Sequence, residues 1–395
     1  MNDDFEYYTL KLKTLAPVFV GSGKSISKKE YYYTPKKDII RFFDMNKLME
    51  YMVQLDELDG KNRIFRFEEY MLSEANEQNE SKDINLYRFT KDIGLSLQEV
   101  KNMTIYRVDN NGCFDENHPL CEIKCFMRDS QNRAYIPGST VKGMLRTILL
   151  QYLIRKKQNY KPRSYKIDKN GKQKSMKDIV FDEANNAEKD FFNTLKNNVK
   201  DGTNDAVNSI MQGIIISDSE FIDNSKFIVC QKKSYVKNQN KANKINTARE
   251  CLKAGVEVCF KIKIDKRFFK PKDVNISFEQ LFKSMIEEFD SEYKDYYLSE
   301  FSHFNSYGSE FRQQFVILGG GSGFFGKNIT YTMNGFNEGL RKTAAVMKNN
   351  KIDNKYVNED DEELGISPHT LSTIKIGTNK YHMGLCSVSL EKDKI

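Results

Sequence analysis

The sequence predicts an α+β protein of two βαββαβ-type halves, with basic insertions and a thumb-like hairpin. Three observations lead there. Strand-like runs of period two alternate along the chain with apolar residues at helical spacing. A length of 395 residues suits two domains and can bury a sizeable core. No self-similarity at solenoid period is visible, so paired α+β halves are the economical arrangement. The halves are placed at residues 1–205 and 206–395, divided near Gly202 after a stretch poor in apolar residues.

The elements follow in order. Tyr7 to Val20 and Ile39 to Phe43 read as strands; Met45 to Leu58, after the cap Asp44, reads as a helix with Leu48, Met49, Met52 and Leu55 facing in. Cys121 to Met127 is a short strand. In the second half Gly213 to Ile222 and Lys226 to Lys233 read as strands, and Val256, Val258, Phe260, Ile262 and Ile264 alternate strictly in a half-buried one. Ser277 with Gln280 forms a capping box for the helix through Phe278, Leu281, Phe282, Met285, Ile286 and Phe289. Gly335 to Lys348 reads as a helix and His382 to Leu390 as a closing strand. Ser73 to Lys82 and Lys166 to Lys177 are polar loops, and Asn350 to Glu363 is an acidic connection.

Charge is placed unevenly. Arg155 to Lys177 carries a net +9 and Lys226 to Arg249 a net +7, whereas the whole chain is only +7, so the remainder is acidic at −9. An acidic body with two basic segments is what a polyanion-binding protein looks like, because each cation held at a phosphate releases a counterion. No apolar run is long enough to cross a membrane, and seven irregularly spaced cysteines point to reduced thiols, so a cytoplasmic location is expected. Cys121 and Cys125 are the closest pair, with no second Cys or His pair at zinc spacing.

The most informative stretch is Tyr135 to Leu149. Pro137-Gly138 ends an extended run, Ser139 or Thr140 can cap a helix, and Val141, Met144, Leu145, Ile148, Leu149 and Tyr152 recur at helical spacing. Lys142 and Arg146 fall on one side of that helix, beside an N-terminus whose free N–H groups favour an anion. A second glycine-rich run, Gly321 to Asn328, matches a phosphate-cradling loop until Asn328 stands where Ser or Thr should hold magnesium. Nucleotide hydrolysis is therefore not expected, but successive N–H groups can still cradle a backbone phosphate.

Ile136, Pro137, Gly138, Ser139, Lys142, Gly143 and Arg146 together resemble the signature of the RAMP superfamily of CRISPR-associated proteins, in which such a run opens a helix lying along guide RNA. Thr14 to Lys24 resembles the RAMP first strand and turn, and Leu318 to Lys327 its glycine-rich loop. Lys28 to Tyr33 and Arg249 to Gly255 look most like the Csm-complex subunit that caps the filament at the crRNA 3′ end in type III-A systems. The resemblance implies two ferredoxin-like (RRM-like) domains, and a crRNA contact through Gly21, Ser22, Lys24, Ser139, Thr140, Lys142, Arg146, Gly320, Gly321, Ser322 and Lys327. By resemblance to RAMP thumbs, Lys232, Lys233 and Lys237 join them, on a hairpin with a long tip that crosses the guide or grips the adjacent subunit.

The implied partners are crRNA, nearby target RNA, the neighbouring backbone and small subunits of the Csm complex, and a host nuclease that trims the guide. No cofactor or metal is implied. Catalysis is not expected either. His118, His303, His369 and His382 lie outside the motifs, and Asp218 with Glu220 is the nearest thing to a paired-carboxylate site. In the backbone RAMP of such complexes, target cleavage depends on an aspartate after the first strand; here Val20 to Lys29 holds no acid. The competing readings are a metal-independent CRISPR repeat endoribonuclease and a stand-alone single-stranded RNA-binding protein.

Overall fold

The computed structural model describes residues 4–34, 37–73, 85–114, 120–164, 167, 171–195, 206–237, 242–301, 312–349 and 361–394. In chain order these form β1 (Phe5–Thr14), β2 (Gly21–Ile26), β3 (Tyr31–Thr34), β4 (Ile39–Phe43), α1 (Met45–Asp59), α2 (Arg63–Leu72), α3 (Leu86–Asp92), α4 (Leu97–Asn102), β5 (Thr104–Asp109), β6 (Ile123–Phe126), α5 (Gly138–Lys156) and α6 (Met176–Phe192). They continue with β7 (Ile214–Ile216), β8 (Phe227–Val236), β9 (Ala242–Leu252), β10 (Glu257–Asp265), α7 (Phe278–Tyr296), β11 (Val316–Ile317), α8 (Thr330–Asn349), β12 (Thr370–Ile376), β13 (Asn379–His382) and β14 (Leu385–Lys392). The fold is mixed α+β with two sheets.

The first sheet runs β11-β14-β1-β10-β7, and every pairing is antiparallel. Alternation along β1 sends Tyr8, Leu10 and Leu12 to one face, where register sets Leu10 between Phe260 and Leu390 and Leu12 between Val258 and Val388. Helices α5 and α7 pack against each other within the same core. The α7 capping box forms as read: Ser277 accepts from the Gln280 N–H and Gln280 from that of Ser277. Burying each large apolar side chain here is worth about 1.5–3 kcal/mol.

The second sheet has nine strands, ordered β2-β6-β9-β8-β5-β4-β3, with β12 added to β8 and β13 to β12. Glu250, fully buried on β9, accepts from the Phe126 N–H and pairs with Arg128 at 2.5 Å; the Arg128 guanidinium lies 3.7 Å over the Tyr106 ring of β5. Helices α1 to α4 carry a satellite core around Leu48, Met52 and Phe89. Both sheets draw strands from either side of residue 205, so that boundary divides the chain and not the sheets.

Several element readings are corrected. The first strand stops at Thr14, because Leu15 and Ala16 both donate to the Leu385 carbonyl and Pro17 has no N–H to continue a ladder. The strand read from Gly213 to Ile222 shortens to Ile214–Ile216, since Asp218 and Ser219 turn away to bind the start of α5. Met49 is 44% exposed, the apolar stripe of α1 being narrower than its periodicity implied. A helix already opens at Thr330, and Gly335, at φ 73°, marks a kink within α8 instead of a start. His382 ends β13, and β14 begins only after the turn at Gly384. The strands of the hairpin run further than read: β8 extends to Val236 and β9 begins at Ala242, so Lys232 and Lys233 stand in the ladder, and the tip at 238–241 lies outside the described residues. Gly202, Lys241, His118 and His303, and most of Ser73 to Lys82 and Asn350 to Glu363, lie outside the described residues, as does part of Lys166 to Lys177.

Candidate nucleic-acid interface

After β1 the chain crosses Pro17 to Val20 as an irregular segment clamped on every side. Val18 exchanges backbone hydrogen bonds with Leu252 of β9, and the Val20 carbonyl accepts from Met127. The Pro17 carbonyl accepts from Gly384 at 3.0 Å and that of Phe19 from Gly320 at 2.6 Å. Here the glycine-rich loop meets the first turn. Gly319 sits at φ +83°, and a Cβ on it would stand 2.2 Å from the Phe19 carbonyl oxygen, so only glycine fits. The Lys327 ammonium folds back onto the Gly319 carbonyl and closes the loop.

These contacts create a cleft of about 340 Å³. One wall is Val20 and Gly21, the second is Thr140, Gly143 and Thr147 of α5, and the third is Gly319, Gly320 and Lys327. Three segments far apart in sequence thus meet, each offering glycine at the surface. Glycine surfaces and one cation line a groove that a sugar-phosphate backbone can approach closely.

The start of α5 differs from the reading. Neither Ser139 nor Thr140 caps it: Pro137 takes the N-cap position without a side-chain bond, and the Asp218 carboxylate accepts from the Gly138 N–H at 2.8 Å. A Cβ at Gly138 would lie 2.3 Å from the Ile216 carbonyl, which fixes glycine there for packing. One N–H expected to face an anion is therefore held internally, and Asp218 has a structural role.

The signature cations lie elsewhere. Lys142 and Arg146 line a separate hollow of about 440 Å³ against α6, where Arg146 pairs with Glu188 at 2.5 Å. Burial and the neighbouring Arg146 lower the Lys142 pKa. Ser139 is exposed, and Ser22, on β2, donates to the Cys125 carbonyl beside exposed Lys24. Ser322 is buried and donates to the Gly319 carbonyl, so it shapes the loop from within. Lys237 is tied by the Glu300 carboxylate and the Leu364 carbonyl.

Lys232 is different. It approaches the glycine-rich loop from β8, where burial and the charges of Arg249 and Lys327 bring its pKa down to about 8. Arg249, on β9, was not singled out by the sequence reading. It lies against Gly321, which a Cβ would bring within 3.3 Å of Nε, and 5.8 Å from the Phe19 ring centroid. Its signals in the sequence are that Arg249 closes the basic segment and opens the Arg249 to Gly255 stretch. Burial lowers the pKa of Lys327 as well, whose stem is exposed while its ammonium turns into the loop.

The remaining histidines stand apart from the cleft. His382 is fully buried; Nδ1 donates to the Ser372 carbonyl, leaving Nε2 to accept from the Tyr293 hydroxyl, and burial drops its pKa to about 4. His369 is buried against the Asp361 carboxylate, which also accepts from Ser367. Asn328 donates to the Phe324 carbonyl and accepts from the Thr330 N–H, so the position departing from the nucleotide-loop pattern caps α8.

A two-sheet α+β fold in which a first turn, a glycine-led helix and a glycine-rich loop enclose one groove defines the class. The profile of the RAMP superfamily matches residues 11–327, and the chain belongs to that superfamily. It is similar to the "CRISPR system Cms protein Csm5" of Streptococcus thermophilus, at 26% identity over 334 residues, covering 83% of this chain and 82% of that protein. The protein of the same name from Mycobacterium tuberculosis is 24% identical over 413 aligned positions, covering 99% of this chain and all of that protein. Among solved structures, a chain of a Csm–crRNA–target RNA ternary complex of a type III-A system superposes with a TM-score of 0.65 at 18% identity, covering 97% of this chain and 100% of that one. The crystal structure of T. onnurineus Csm5 gives 0.58 at 16%, over 95% and 99%. At those identities the superpositions speak for the fold.

Proposed function

We propose that this chain is a non-catalytic crRNA-binding subunit of a type III-A Csm effector complex, that it caps the backbone filament at the crRNA 3′ end, and that 3′-end maturation depends on it in antiviral defence. The observation that carries the reading is the convergence of Gly21, Gly143 and Gly319–Gly320 on one cleft beside Lys327. A groove walled by glycine admits a backbone without selecting a base, as guide binding requires. The names of its relatives support a setting among Csm subunits with crRNA and target RNA nearby; a trimming nuclease of the host and a cytoplasmic location belong to the proposal.

We further propose one ferredoxin-like unit made of β1, α5, β7, β10, α7 and β14. Its support is the strand order β14-β1-β10-β7 with all neighbours antiparallel, the order that two split βαβ crossovers produce. The second, thumb-bearing unit is carried by the nine-stranded sheet. The absence of catalysis is supported by His369 and His382, both buried and engaged away from the cleft.

The test is a reconstitution. Complexes assembled with and without this chain are compared for crRNA length, and the purified chain is incubated with repeat RNA. Binding without cutting, with longer guides when the chain is omitted, is expected. Metal-independent cleavage at one site would establish the endoribonuclease reading instead, and normal complexes lacking the chain would leave it a stand-alone RNA-binding protein.

A further inference from the structure

We propose that Lys232 and Arg249, with the Gly321 backbone, form a second phosphate subsite on the β8–β9 side of the glycine-rich loop, beside the cleft against α5. The inference rests on the reading of this chain as RNA-binding and adds a place where one phosphodiester of the bound strand is seated.

Three features meet there. Lys232 and Arg249 approach from adjacent strands and form no ion pair with any described carboxylate, whereas Arg63, Arg128 and Lys342 are each paired with acids. Among the described residues Arg249 Nη1 is buried with no hydrogen-bond partner, a donor taken out of water. The loop above it carries Gly319, Gly321 and Gly323 at positive φ, the backbone condition for an N–H nest. Buried cations ordinarily sit beside an acid because desolvating charge is costly. Among the described residues no acid compensates them, and Lys327 adds a third positive charge.

The groups whose fields reach Lys232 are Arg249 from β9, Lys327 from the loop, and His382 from β13, which is neutral at ordinary pH. With its pKa near 8, Lys232 loses its proton more readily than an ordinary lysine. A seated phosphate favours the protonated form. Affinity for RNA should therefore be full below pH 8 and fall as pH rises through it.

The experiment uses the full chain, a short single-stranded RNA of unstructured sequence, and inorganic phosphate as a separate probe. Arg249→Met and Lys232→Met are each expected to melt higher than wild type without ligand, since repulsion is relieved, yet to bind RNA several-fold more weakly. Each should also reduce the slope of log affinity against log salt by about 0.7, one lost contact on a single strand. Phosphate should raise the wild-type melting temperature and leave Arg249→Met unmoved, and Lys232→Arg should abolish the fall in affinity above pH 8. Met variants that melt lower than wild type and keep its salt slope would show two structural cations and overturn the subsite. A wild type that binds no RNA would overturn the functional reading, a result distinct from RNA binding that survives both substitutions.

Discussion

At the scale of single residues, the cleft depends on places where a side chain cannot be. Gly319→Ala puts a methyl group into the Phe19 carbonyl at a left-handed position. The expected loss is about 1–2 kcal/mol for the backbone conformation plus 1–3 for the overpacking, measured by denaturant unfolding. An Ala variant as stable as wild type would mean that the loop does not hold this conformation. Lys232 gives a prediction of opposite sign. Between pH 8 and its ordinary value of 10.5, the unfolded chain keeps a proton that the folded chain has released, so this group's contribution makes stability rise with pH across that window. The advantage of Lys232→Met in melting temperature should be largest below pH 8 and shrink toward pH 10.5; a constant difference would place Lys232 in an ordinary solvated setting. The glycines were legible in the sequence because their spacing survives without any fold. Arg249 was not, because what distinguishes it is the lack of an acid nearby in space.

At the scale of elements, α5 shows how a motif can be recognised correctly and assigned the wrong local physics. Its buried face, Val141, Met144, Leu145, Ile148, Leu149 and Tyr152, follows from period alone. Its cap does not, since Asp218 reaches it across 80 residues of chain. Asp218→Ala should cost about 1 kcal/mol, as the loss of an N-cap acceptor does. A cost near zero in thermal unfolding would show that water replaces the carboxylate. Lys142→Ala with Arg146→Ala should leave the fold intact, because the Arg146–Glu188 pair is solvent-exposed and such pairs are worth about 0–1 kcal/mol. If the hollow between α5 and α6 also tracks the guide, the double variant weakens RNA binding and flattens its salt dependence; an unchanged slope assigns both cations to the helix pair. The β8–β9 hairpin was visible as two strand-like ends around a basic stretch, but not its length, because lysines on a ladder edge and lysines in a loop have the same composition.

At the scale of the molecule, the sequence reveals neighbours along the chain and conceals partners across it. The alternation of β10 and the capping box of α7 are local facts and were readable. That β1 lies between β10 and β14 is a non-local one, invisible without covariation. It leads to a prediction: residues 1–205 expressed alone should not fold cooperatively, because β1 and α5 would lack the strands and helix that bury them, whereas co-expression with residues 206–395 should restore a soluble pair. A cooperatively melting 1–205 fragment would contradict this dependence. The same arrangement imposes an order in time. Lys11 and Glu391, bonded across β1 and β14, are 380 residues apart. At about 5–20 residues per second, a ribosome exposes β1 some 20–75 seconds before β14 exists. Until β10 emerges β1 has no partner strand, and until β14 follows one of its edges stays open, so the nascent chain, more than the finished one, is the form that most needs a chaperone.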